Sequence, residues 1–113
     1  MKMDISRINF LIEEAKNELR HNGYSEDFAN MCKIIIETKD PVANYLFARE
    51  VNTNLPKVHG SIVNNYGTDE LIFKFATEVS GASIEDAKNA LKRIKSYRFL
   101  KKLEYETTPI NEL

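Results

Sequence analysis

The chain has 113 residues, a length that suits one domain and buries roughly 65% of the unfolded surface around one core. Hydrophobic residues at 42% and charged residues at 29% exclude wholesale disorder, and a net charge of −1 gives no overall pull toward nucleic acid. The single cysteine, Cys32, excludes an internal disulfide framework, and the longest aliphatic run, Ile34-Ile35-Ile36, is far short of a membrane span.

Taken in chain order, residues 5–21 set Ile8, Leu11, Ile12, Ala15 and Leu19 three and four apart, which predicts an amphipathic helix. Asp4 or Ser6 caps it and Asn22-Gly23 stops it. Ser25 with Glu26 and Asp27 starts a second helix whose inner face is Phe28, Met31, Cys32 and Ile35. Cys32 in that company reads as a small buried hydrophobe rather than a reactive thiol. Asp40-Pro41 is the clearest start signal, opening a helix over 41–51. Asn54 is the expected cap of a helix over 55–66, with Pro56 early enough to be tolerated and Gly67 ending it. Thr68 and Asp69 then cap a helix through Val79, Ser80-Gly81 stops it, and Ser83 opens another with the stripe Ile84, Ala87, Leu91 and Ile94. Beyond Ser96 the stripe shifts to Tyr97, Leu100 and Leu103, which predicts a break and a short last helix. Few segments alternate apolar with polar residues, so little sheet is expected. The reading is an all-α, solenoid-like bundle of six to seven short helices.

Phe47-Ala48-Arg49-Glu50-Val51 and Phe75-Ala76-Thr77-Glu78-Val79 lie 28 residues apart and agree at four of five positions. The likeness extends to Asp40 with Asp69, Tyr45 with Phe73, Leu55 with Ile84, Val58 with Ala87, and Ile62 with Leu91, so the offset drifts between 28 and 29. Such periods signal stacked units that cannot bury their apolar faces alone and need atypical end units. The expected organisation is one domain over 1–104: capping helices over 5–38, one repeat over 40–66, a second over 69–95, and an end cap over 96–104. Residues 105–113 read as a flexible tail.

The stretch from Asp69 to Leu91, DELIFKFATEVSGASIEDAKNAL, resembles short tandem helical repeats of A/T-rich bacteria and their viruses, of the type D-x-x-Y-I-Y-x-F-A-x-x-V-x-G-A-x-I-x-x-L-x-x-A-I. The first copy departs from it, with Asn52-Thr53-Asn54 in place of the Gly-Ala pair. The resemblance implies a helical interaction scaffold and no catalytic activity. Ile, Lys and Asn occur eleven times each, and their A/T-rich codons point to the same kind of source.

No arrangement of residues calls for catalysis, a metal or a cofactor. His21 sits at a helix end and His59 has no cysteine or histidine at ligand spacing, whereas zinc needs about four ligands. Four glycines form no phosphate loop. The doublets Glu13-Glu14, Glu26-Asp27 and Glu85-Asp86 point about 100° apart on a helix, and the last two stand where helix starts favour acids. Charge is concentrated instead. Residues 80–104 carry seven bases and three acids, and every base lies between Lys88 and Lys102. Lys88, Lys92 and Lys95 have the four-and-three spacing of one helix face. The candidate binding residues are Lys88, Lys92, Lys95, Tyr97, Arg98, Lys101 and Lys102. They suit an acidic protein surface or, alternatively, a phosphate backbone with an aromatic stacking on a base. The expected function is a cytoplasmic, non-enzymatic protein-binding module, with a small viral or mobile-element inhibitor of a host defence complex as its narrower form. A nucleic-acid-binding domain and a self-associating structural domain are the alternatives.

Overall fold

The computed structural model describes residues 2–108, and its regular structure is seven helices with no strand among those residues. They are α1 (Ile5–Asn22), α2 (Glu26–Thr38), α3 (Pro41–Glu50), α4 (Pro56–Tyr66), α5 (Asp69–Glu78), α6 (Ile84–Arg93) and α7 (Tyr97–Thr107). The starts follow local chemistry: side chains of Asp4, Ser25, Asp40, Thr68 and Ser83 each accept a backbone N–H of the first turn. Asn54 does not cap α4. It takes a left-handed backbone (φ 61°), Leu55 is the N-cap, and Thr53 Oγ1 accepts the Leu55 N–H at 3.1 Å. The last helix runs through Thr107, so Tyr105 to Thr107, expected in a flexible tail, are helical. The rest of that tail, residues 109–113, lies outside the described residues.

Every packed pair of helices is one or two places apart in the chain. Each of α1 to α5 meets the next two helices, and α6 meets α7. That is the contact pattern of a one-dimensional stack, in which each unit touches only its neighbours. Odd-numbered helices form one layer and even-numbered helices the other. The shortest dimension, 19 Å, is about two helix diameters, and the longest, 44 Å, suits four helices side by side at roughly 10 Å each.

The repeat is stricter than the sequence pairing suggests. Its offset is a constant 28 residues, because caps and burial coincide only in that register. The N-caps Asp40 and Thr68 correspond, as do Leu55 and Ser83. Val51 and Val79 end α3 and α5 alike, each N–H bonding the carbonyl of Phe47 or Phe75 at 2.8 and 3.0 Å. In the second helices, buried His59, Ile62 and Val63 correspond to buried Ala87, Ala90 and Leu91. The pairings Asp40–Asp69, Leu55–Ile84, Val58–Ala87 and Ile62–Leu91 are therefore one residue out of register; Val58 is exposed and Ala87 buried. The same offset reaches α7. Its N-cap Ser96 falls 28 residues after Thr68, and buried Leu100 and Leu103 follow Ile72 and Phe75. The start and the buried face of α7 thus keep the register of α3 and α5.

Two apolar clusters occupy the interior. Ile8, Leu11, Phe28, Cys32, Ile35 and Phe47 pack at the α1–α3 end, while Tyr45, Ile72, Phe75, Leu91, Leu100 and Leu103 pack at the other. They meet at α3, where Leu46 touches both. The single core expected from length is therefore divided by one helix buried on two sides. A polar chain crosses the same region: Asn44 Nδ2 donates to the Ile35 and Asp40 carbonyls, Asn44 Oδ1 meets His59 Nδ1, and His59 Nε2 meets Thr53 Oγ1.

Candidate interaction surface at the α6–α7 end

The seven candidate residues separate into three groups. Lys88 and Lys92 lie one turn apart on α6, Lys92 exposed and Lys88 half-buried. Lys95 is not on that face. The helix ends at Arg93, and Lys95 turns left-handed at φ 60°. There the Ser96 N–H bonds the Leu91 carbonyl at 2.9 Å and the Lys95 N–H bonds the Lys92 carbonyl at 3.1 Å, a Schellman turn that reverses the chain into α7. Ser96 Oγ then donates to Asp69 Oδ2 at 2.7 Å, tying the start of α7 to that of α5.

On α7, burial of Leu100 and Leu103 fixes which face is outward. Arg98, Lys101, Lys102 and Tyr105 follow at spacings of three and four on the exposed side. Phe99 reaches α5, its ring 5.8 Å from that of Phe73. Lys102 Nζ lies 4.9 Å from the Phe73 ring centre and 5.9 Å from that of Phe99, while the Arg98 guanidinium is 5.4 Å from Phe99. These are cation–π distances. The two cations cover the aromatic pair, so these rings are not open platforms for a base. Tyr97 and Tyr105 are the exposed aromatics, 56% and 68% accessible.

Concentration, rather than lack of pairing, distinguishes the bases of this end, because Lys2, Arg7, Arg20, Lys39 and Lys57 elsewhere also have no ion-pair partner among the described residues. Lys16, Lys33, Arg49 and Lys74 all have carboxylate partners within 4.0 Å. Among the described residues, none of Lys88, Lys92, Lys95, Arg98, Lys101 and Lys102 has an ion-pair partner. Arg93 is engaged, its Nη2 donating to the Asn64 carbonyl of α4 at 2.7 Å.

Two other concavities compete for attention. An apolar groove of about 460 Å³ lies between α2 and the α3–α4 connection, lined by Tyr24, Phe28, Ile36 and Leu55. Sequence periodicity missed it because Leu55 and Tyr24 belong to turns. A larger, polar hollow of about 640 Å³ lies beside Arg49 and Glu78. Its Arg49 is already held by Glu50, Glu78 and the Tyr45 hydroxyl, and burial with the neighbouring Glu78 carboxylate raises the Tyr45 pKa. No group of three His, Cys, Asp or Glu suited to a metal occurs among the described residues. None of the helices is long and apolar enough to cross a membrane.

No protein family matches this chain, and neither does any curated protein or solved structure.

Proposed function

We propose that this chain is a non-enzymatic binding module that docks its α6–α7 end on an acidic surface of another protein. The observation that carries the reading is the concentration of six cations without ion-pair partners among the described residues, beside exposed Tyr97 and Tyr105. Unpaired surface charge of one sign speeds encounter with a complementary partner and sets its orientation. A nucleic-acid partner is less well supported. The cations are spread over several faces, and Phe73 and Phe99 are covered by Lys102 and Arg98. Like charge opposes self-association through two copies of this end. The narrower role, a viral or mobile-element inhibitor acting on a host defence complex in the cytoplasm, is supported by the repeat resemblance, the A/T-rich composition and the lone cysteine.

Affinity purification of the wild-type chain beside the triple variant Lys92→Glu, Arg98→Glu, Lys102→Glu tests the reading. The expected result is a discrete protein partner retained by the wild type and lost by a variant that melts at the same temperature. Nucleic acid in the eluate, released steeply by salt, would support the alternative instead.

A further inference from the structure

The two seams of the even layer differ, although the 28-residue register makes them equivalent. Between α4 and α6 the seam is closed: Pro56, Lys57, Gly60 and Asn64 share a space of about 10 Å³ with Ser83, Asp86 and Ala87. Their counterparts on α2 are Phe28, Ala29, Cys32 and Ile36. All four line the groove of about 460 Å³, and Leu55, the counterpart of Ser83, lines it from the other side. The body of α4 stays out of it. The wall opposite α2 is the connection from Thr53 to Leu55, whereas Asp86 and Ala87 of α6 line the closed seam. His59 and the Leu55 N–H both bond Thr53 Oγ1, so that wall is held in place.

The chemistry of the groove restricts what fills it. Buried Phe28 and Cys32 form the floor, and exposed Tyr24 and Leu55 stand at the rim. Its charged lining residues, Lys33 and Glu37, pair with each other at 3.9 Å and leave no net charge to meet an ion. A charged occupant would lose hydration without finding a counter-charge, whereas an apolar one leaves water for Phe28, Ile36 and Leu55. Size decides between a molecule and a helix. A helix about 10 Å across, lying along α2 for roughly 18 Å from Ser25 to Glu37, would fill about 1,400 Å³. That is about three times the space present. The groove instead falls within the range of sites for small ligands, about 300 to 1,000 Å³.

We propose that the α2–α4 seam is a binding site for a small, uncharged, apolar organic molecule. Tyr24 and Leu55 flank its entrance, and Phe28, Cys32 and Ile36 form the contact surface. The site lies away from α6 and α7 and stands whether or not the basic end binds a protein.

The test uses two fluorescent probes that share one frame. N-phenylnaphthylamine is neutral, and anilinonaphthalene sulfonate is the same frame with a sulfonate added. The neutral probe is expected to bind the full chain saturably at one site, with blue-shifted emission, and at least tenfold more tightly than the anionic one. Ala29→Trp, which fills the groove from an exposed position, should weaken the neutral probe at least tenfold. Leu55→Asp should do the same by placing a charge at the rim, and Asp is favoured for folding at this N-cap position. Either of the two that melts as cooperatively as the wild type carries the comparison. Phe10→Ser removes an exposed aromatic outside the groove and should leave binding unchanged. No saturable binding of the neutral probe, equal or tighter binding of the anionic one, or binding unaffected by the folded groove variant would overturn the proposal. So would a protein partner that fills the groove, recognised by its capture with the wild type and its loss with Ala29→Trp.

Discussion

Asn44 and His59 meet side chain to side chain in the interior, with His59 Nδ1 2.9 Å from Asn44 Oδ1. Because Asn44 Nδ2 donates to two carbonyls, its Oδ1 must accept, and His59 Nδ1 carries the proton. His59 Nε2 is then the acceptor for the Thr53 hydroxyl, which itself accepts the Leu55 N–H. The neutral imidazole is fully satisfied, and burial lowers the His59 pKa from 6.5 to about 4.

This sets a pH window. A histidine with a depressed folded pKa favours the folded state fully above its unfolded value, and that contribution declines as pH falls from 6.5 to about 4. The loss is about 3 kcal/mol by the linkage relation. Urea midpoints should fall over that window. The variant His59→Leu should be less stable at pH 7 by about 2–4 kcal/mol, since it strands Asn44 and Thr53, and should lack this part of the pH dependence. Parallel decline of wild type and variant would refute the assignment.

Gly60 lets α4 approach α5. A Cβ there would lie 2.9 Å from Phe75 Cε1 in the C-terminal cluster. Gly60→Ala gains about 1 kcal/mol of helix propensity but forces Phe75 aside, at a cost of about 1–3 kcal/mol. The expected net effect is a lower denaturation midpoint with altered near-ultraviolet signal. A more stable variant would show that Phe75 has room to move.

Lys95 is a non-glycine residue at the left-handed position of the turn between α6 and α7. Lys95→Gly should raise stability by about 0.5–1 kcal/mol, because relief of the Cβ conflict exceeds the added unfolded-chain entropy. Equilibrium denaturation reads this directly.

Cys32 is buried, and burial raises its thiol pKa from 9.0 to about 11. At pH 8 the folded protein should react with a disulfide reagent at least a hundredfold more slowly than the urea-unfolded chain. Comparable rates would mean that α2 opens readily from α1 and α3.

How much of this was legible beforehand differs by scale. The caps at Asp4, Ser25, Asp40, Thr68 and Ser83 could be read because a capping bond spans two or three residues. The α4 start could not: its N-cap has no side-chain acceptor, and the turn is held by Thr53 together with a left-handed Asn54. The basic run between Lys88 and Lys102 was equally visible, but its division among α6, the Schellman turn and the outer face of α7 was not. That division depends on where α6 stops, which the Ser96 and Lys95 backbone bonds decide.

Tyr45 and Phe47 show the same limit. Residues two apart cannot share the centre of one helix face, yet both are buried because α3 has an apolar cluster on each side. Their counterparts Phe73 and Phe75 divide, with Phe73 half-buried beneath Phe99 and Lys102.

That the chain is helical could be read from residues alone, because caps and three-to-four spacing act within a single turn. The constant 28-residue register, and its continuation into α7, came into view only with the packing of the helices. Those depend on which neighbouring helix covers each face, and such contacts join residues far apart in the chain.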